Sequence, residues 1–317
     1  MTYAGKTFLL IAGGGTLGTY TAKELLSLGA SVEIVCPEEK HSDHPRLSFH
    51  RALGTAEVLS ELFAKKHYDG IVDFICYRNH EDYYAIYPLL IANTDHLVFL
   101  SSYRVYSDRQ LPITETAPRL YDVITDRHFL ETENYAVPKS KCEDFLRNEH
   151  GSDPWTIVRP VISFSARRLD LLLYSKQEVL EAVEKNRALL LPETVRSYGA
   201  GIDWAGNSGK LIAHLLGKPH THGETYTVCS GHGMTWGQVA DAYSEVTGLQ
   251  VRWCDEAEYV EKVVTPDAYW RWYYDRIYDR TMDVSKVLAA TGLTKADFAT
   301  VAEGLRTELD LLGWKKP

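Results

Sequence analysis

Tyr135 and Lys139, four positions apart in Tyr135-Ala136-Val137-Pro138-Lys139, are residue types suited to proton transfer. On a helix the two share one face. The ammonium then sits close enough to the phenol to favour the phenolate. A free phenol ionises only near pH ~10, so it needs such help to act as a base around neutrality. Two other segments belong with this pair. Ser101-Ser102-Tyr103-Arg104-Val105-Tyr106 follows the apolar run His96–Leu100, and a hydroxyl at the carboxyl end of a parallel strand faces the ligand crevice. Near the start of the chain, Gly13, Gly15 and Gly18 satisfy a GxGxxG pattern in Gly13-Gly14-Gly15-Thr16-Leu17-Gly18. Glycines there permit a tight turn and let backbone N–H groups approach a pyrophosphate at a helix N-terminus.

These residues need elements to position them. Thr7–Ala12 reads as a strand ahead of the glycines, and Thr19–Leu28 as a helix that Gly29 stops. Further strands are expected at Ser31–Cys36, Leu47–Arg51, Gly70–Cys76, His96–Ser101 and Trp155–Val158. Helices are expected at Ala56–Lys66, Asp82–Ala92 and Asn134–Glu149, with Pro138 tolerated in the first turn of the last. Regular β-α alternation with short apolar strands implies a doubly wound parallel α/β sheet of Rossmann type, covered on both faces. After Pro160 the rhythm breaks. Gln177–Asn186, Trp204–Leu216, Thr235–Thr247 and Val301–Leu312 read as helices, with Ala188–Leu191 and Glu224–Cys229 extended, which describes a smaller mixed α/β region. The expected organisation is a nucleotide-binding unit over 1–162, with a segment near 196–232 returning to it, and a mainly substrate-binding region over 163–317.

The chain has 317 residues, a net charge of -9 and 45% hydrophobic content. With no long basic run, a nucleic-acid partner is not expected, and an acidic surface does not attract anionic membranes. No apolar run approaches the ~18 residues of a membrane span, and Met1–Lys6 lacks the features of a signal peptide. The five cysteines are scattered, with no CxxC. They read as reduced thiols of a cytoplasmic protein. His41, His44, His220 and His222 lie in polar loops, and no metal site is expected.

Taken in order, these motifs resemble the extended short-chain dehydrogenases/reductases, specifically the NAD-dependent epimerase/dehydratase family. That family carries Ser-Ser-x-x-Val-Tyr followed by YxxxK, which here are Ser101–Tyr106 and Tyr135–Lys139. Arg159-Pro160, Arg196-Ser197-Tyr198-Gly199-Ala200-Gly201-Ile202-Asp203 and Asp283-Val284-Ser285-Lys286 are similar to three further family segments. The resemblance covers nearly the whole chain. It implies transient oxidation of a sugar hydroxyl on a nucleotide sugar, with Tyr135 as base, Lys139 holding the phenolate and cofactor ribose, and Ser102 bonded to the reacting oxygen. It also implies cofactor contacts at Gly13, Gly15, Thr16, Leu17 and Gly18, and beyond the loop at Cys36, Phe74, Ile75 and Pro160. Arg104, Arg196 and Arg276 are the implied substrate contacts, with Arg271 and Arg280 as neighbours in the same aromatic stretch as Arg276. A homodimer is the implied assembly.

The cofactor reading favours NAD, with NADP as the alternative. Cys36 ends the second strand ahead of Pro37-Glu38-Glu39-Lys40, where Glu38 or Glu39 is placed to meet a ribose hydroxyl and nothing basic sits directly at the strand end. An epimerase is the leading expectation, with a ketosugar reductase or a dehydratase of the same family as alternatives. The Asp-Glu pair of sugar 4,6-dehydratases is replaced by Tyr103-Arg104, which argues against that type. Asp73-Phe74-Ile75-Cys76-Tyr77 replaces the family's small-residue pattern beside the cofactor, and Leu53–Ala56 lacks its usual Asp. A different class, the RNA-binding or sensor relatives such as chloroplast stem-loop binding proteins and NmrA-like regulators, is disfavoured because Ser102, Tyr135 and Lys139 are all present.

Overall fold

From Phe8 to Ile11 every residue of the first strand, β1 (Thr7–Ile11), is apolar and buried, as a strand covered on both faces requires. The computed structural model describes residues 2–316. Seven strands form one parallel sheet. Its order from one edge is Glu224–Val228, β6 (Trp155–Pro160), β5 (Leu97–Leu100), β4 (Gly70–Asp73), β1, β2 (Ser31–Cys36) and β3 (Leu47–Arg51). Leu9 pairs with Glu33 of β2 on one side and Ile71 of β4 on the other. The chain winds outward from β1 in both directions, so a crevice opens at the carboxyl ends of β1 and β4.

Side chains alternate between the two faces. Leu10, Val32 and Ile34 enter one core, while Leu9, Ile11 and Val35 enter the other. On the first face, α1 (Thr16–Ser27) lies along the helix Ala205–Leu215. The approach is close: a Cβ on Gly209 would sit 2.6 Å from the Tyr20 carbonyl carbon. On the second face, the helix His80–Ile91 packs against the helix Ala136–Glu149, where Tyr84 stacks on Phe145 at 4.2 Å. The rest of the chain adds two small parallel sheets, Leu189–Pro192 with Val251–Cys254 and Ile162–Phe164 with Ile202–Trp204. Trp272 of the aromatic stretch is fully buried, 4.9 Å from the ring of Tyr259.

Most element boundaries shift by one to three residues from the sequence reading, and two of the shifts bear on the site. The strand expected to run to Cys76 stops at Asp73, because the Asp73 carboxylate accepts the backbone N–H of Ile75 and turns the chain. The helix expected from Asn134 begins at Ala136, so Tyr135 stands before it as the capping residue.

Candidate active site

The glycine loop divides into glycines that pack and one that faces open space. A Cβ on Gly13 would lie 2.6 Å from Leu10 Cβ, one on Gly14 2.8 Å from Cys36 Cβ, and one on Gly18 2.2 Å from the carbonyl oxygen of Gly13. A Cβ on Gly15 would meet nothing within 4 Å. Gly15 precedes the first turn of α1, whose N–H groups lack partners within the helix. Gly15, Thr16, Leu17 and Gly18 line a cavity of about 480 Å³ at the carboxyl ends of the strands. The fit to a pyrophosphate is a steric and electrostatic one: no side chain covers Gly15, and the helix end favours an anion. Beside the loop, Lys40 donates to the carbonyl of Gly14 at 2.6 Å, and Arg167 lies 3.7 Å from Glu38. Arg167 is distant in sequence, so the cation it brings to the end of β2 was not visible there.

The two serines after β5 have different surroundings. Ser101 donates to Glu143 at 2.6 Å and is thereby committed to the interior. Ser102 is buried at the cavity wall, where its Oγ accepts the N–H of Arg104 at 3.2 Å. Tyr135 is half-buried on the same wall, with φ −132° and ψ −65° outside the helical region. Its position before the helix comes from Glu133, whose Oε2 accepts N–H groups from Tyr135 (2.9 Å), Ala136 (2.6 Å) and Val137 (3.1 Å). A carboxylate thus closes the first turn and anchors Tyr135. Lys139 is buried behind the wall, its ammonium 5.3 Å from the Tyr135 ring centroid.

Five arginines also line the cavity: Arg78, Arg104, Arg168, Arg271 and Arg276. Arg276 is a scaffold group, with Nε on the Leu172 carbonyl (3.0 Å), Nη1 on the Tyr103 hydroxyl (2.7 Å) and an ion pair to buried Asp275. Arg104 pairs with Glu133 at 3.2 Å and Asp275 at 3.5 Å. Burial, and then the charge of Arg276, hold the affinity of Arg271 for its proton below the ordinary value. At the end of β4, burial pushes the Asp73 carboxyl up to about 6, against the opposing Ile75 N–H, Tyr77 hydroxyl and Lys139 charge.

Ser102, Tyr135, Phe74, Pro160, Arg104 and Arg276 therefore meet at one cavity with the α1 N-terminus. Gly13 and Cys36 lie beneath the loop, and Ile75 turns toward Gly54, 3.2 Å from a Cβ built there. Arg196 is not brought to the cavity. It is half-exposed, paired with Glu193 at 3.2 Å and laid over Trp253 at 4.8 Å, so its charge is met by a neighbour three residues away. Arg78 and Arg168 were missed, because nothing local to either marks it as a cavity residue. Among the described residues no three His, Cys, Asp or Glu side chains gather as metal ligands, and no helix is long and apolar enough to cross a membrane.

No family model and no curated protein matches this chain. Solved structures do. A putative epimerase from Burkholderia cenocepacia J2315 is similar over 98% of this chain and 98% of its own, with a TM-score of 0.72 at 16% identity. The UDP-N-acetylglucosamine 4-epimerase of Bacillus cereus matches over 98% of both chains, with a TM-score of 0.67 at 15% identity. The enzyme WbmF of Bordetella bronchiseptica, solved with NADH, matches over 98% of this chain and 92% of its own, with a TM-score of 0.65 at 16% identity. The same enzyme was also solved with NAD+ and UDP. From end to end, this chain has the fold of these epimerase structures.

Proposed function

We propose that this protein is an NAD-dependent epimerase of nucleotide sugars, of the extended short-chain dehydrogenase/reductase type. The observation that carries the reading is the meeting of Ser102 and Tyr135 at one cavity with the uncovered Gly15 and the N-terminus of α1. The fold shared with epimerases, one of them solved with NADH and with NAD+ and UDP, supports it. Bound NAD supplies a hydride acceptor that later returns the hydride to the opposite face of the sugar. Tyr135 takes the proton of the sugar hydroxyl and gives it back on reduction. Ser102 hydrogen-bonds the reacting oxygen, and Lys139 holds positive charge beside the phenol ring. Glu38, against Gly14 of the loop and facing Arg167 at 3.7 Å, is placed to meet a ribose hydroxyl, which supports NAD. The Tyr103 hydroxyl is engaged with Arg276 and Asp275, so that pair position has no free acid and base for water elimination. A cytoplasmic homodimer is part of the same reading.

The test is to denature the purified protein and assay released NAD, then incubate the native protein with a panel of nucleotide sugars and follow epimers by NMR. Released NAD together with conversion at one sugar carbon is expected. A cofactor-free preparation that consumes NADPH on a ketosugar would make the protein a reductase instead.

A further inference from the structure

Two guanidinium groups stand at the ring of Tyr135. The Cζ of Arg104 is 4.7 Å from the ring centroid and that of Arg78 is 6.0 Å. Both line the cavity, whose lining includes five arginines and no Asp or Glu. Oxidising a neutral sugar hydroxyl needs a base, a hydroxyl to hold the oxygen and a hydride acceptor; Lys139 already places a cation beside the base, and two more are surplus to that step. Arg104 is not a stray surface group. Arg104 is fixed by Glu133 and Asp275, its side chain only 19% exposed; its buried Nε makes no hydrogen bond but lies 3.5 Å from the Asp275 carboxylate. Arg78 is held by Asn134 at 2.7 Å through an amide oxygen, which leaves its charge unneutralised.

The remaining cations have their own claim on an anion. Arg271 also keeps a buried Nε without a hydrogen-bond partner, among Arg276, Arg104 and Arg168, with Asp170 as the one opposing carboxylate. The five arginines outnumber Glu133, Asp170 and Asp275, the carboxylates that pair with them, and a ligand carrying negative charge balances the remainder. A nucleotide diphosphate meets the group around Arg168 and Arg271. It leaves Arg78, beside Arg104 at Tyr135, without a counter-charge. On a hexuronate ring the carboxyl carbon is borne by the carbon next to C4, so a carboxylate at the pair fits a C4 hydroxyl at Tyr135.

We propose that the sugar unit of the substrate carries a carboxylate, held by Arg104 and Arg78 beside the hydroxyl that Tyr135 deprotonates; the substrate is a nucleotide-linked uronic acid. This rests on the nucleotide-sugar reading above. The carboxylate takes no part in the redox step and serves recognition through charge-assisted hydrogen bonds.

The test is calorimetric binding to NAD-saturated protein with matched pairs: UDP-glucuronate against UDP-glucose, UDP-galacturonate against UDP-galactose, GDP-mannuronate against GDP-mannose, and UDP or GDP alone. One acidic sugar is expected to bind at least about tenfold tighter than its neutral partner. Arg104→Gln should erase that preference and Arg78→Gln reduce it severalfold, with affinity for the nucleotide alone unchanged. Arg78 is exposed, so its variant keeps the test valid should Arg104→Gln not fold. Equal affinity for acidic and neutral sugars overturns the proposal and leaves the epimerase reading standing. An equal loss for both in Arg104→Gln also overturns it, since Arg104 would then act on Tyr135 alone. Failure of every nucleotide and nucleotide sugar to bind defeats the epimerase reading, and this proposal with it.

Discussion

The ammonium of Lys139 donates to the carbonyl oxygen of Leu100 at 2.5 Å. Leu100 is the last residue of β5, and Ser102 lies two positions beyond it. One hydrogen bond therefore ties the helix that follows Tyr135 to the strand end that carries Ser102, and it sets the two candidate catalytic groups on one wall.

Replacing Tyr135 with Phe removes the phenol oxygen and leaves the half-buried ring in place. Turnover in the epimer assay is expected to fall by about 10²–10⁴-fold, the usual worth of a positioned acid/base. The melting temperature should stay within about 2 °C of wild type. A turnover loss below about threefold would remove Tyr135 from the mechanism.

Gly15→Ala and Gly18→Ala should separate binding from folding. A Cβ at Gly15 enters open space at the cavity, so that variant is expected to melt like wild type yet bind NAD at least about tenfold more weakly. A Cβ at Gly18 meets the Gly13 carbonyl at 2.2 Å, and that variant should lose about 1–3 kcal/mol of stability in denaturant unfolding. The opposite pattern would mean that the loop does not face the pyrophosphate.

Glu143 is fully buried and accepts from Arg159 (2.7 Å), Ser101 (2.6 Å), Arg119 (3.3 Å) and Arg147 (3.3 Å). Burial raises its carboxyl, but the Arg159 charge and the other donors outweigh burial and bring it down to about 2. Glu143→Gln leaves Arg159 buried without its counter-charge and should cost about 3–5 kcal/mol at pH 7. The folded carboxyl lies below the free value of 4.5. Its stabilisation is therefore complete above pH 4.5 and fades as pH falls toward 2. Unfolding of both proteins between pH 7 and 3 should show the gap narrowing only at the acid end; a constant gap would contradict the ion pair.

Asp73 works in the opposite direction. Burial raises it from 3.8 to about 6, so the folded state binds this proton more tightly than the unfolded chain. The contribution is present below pH 3.8 and is lost as pH rises through 6. Asp73→Asn, an amide without that titration, should be more stable than wild type at pH 8, by on the order of 1 kcal/mol or more, and keep only about half of that advantage at pH 5. An advantage that does not grow with pH would argue against a buried carboxyl here.

The phosphate loop, the strand–helix alternation and the Tyr135–Lys139 spacing could be read from sequence because each is local. Glycine placement, apolar runs and a four-residue step are set by backbone geometry over a few residues. The entry of Tyr135 before the helix was not legible, since it depends on Glu133 turning its carboxylate onto three successive N–H groups. The choice between Ser101 and Ser102 likewise required Glu143, far along the chain, to engage one of them.

The substrate side belonged to the tertiary structure almost entirely. Arg196 matched a family segment, yet Glu193 and Trp253 hold it away from the cavity, while Arg78, Arg168 and Arg271 arrive from separate elements. The sequence by itself determined the nucleotide-binding framework and the proton-transfer pair, because short-range sterics and spacing specify them. Only the tertiary structure decided which long, flexible cations converge on the cavity, because Arg168, Arg271 and Arg276 reach it through the packing of the C-terminal region over the sheet, which also brings Asp275 to Arg104.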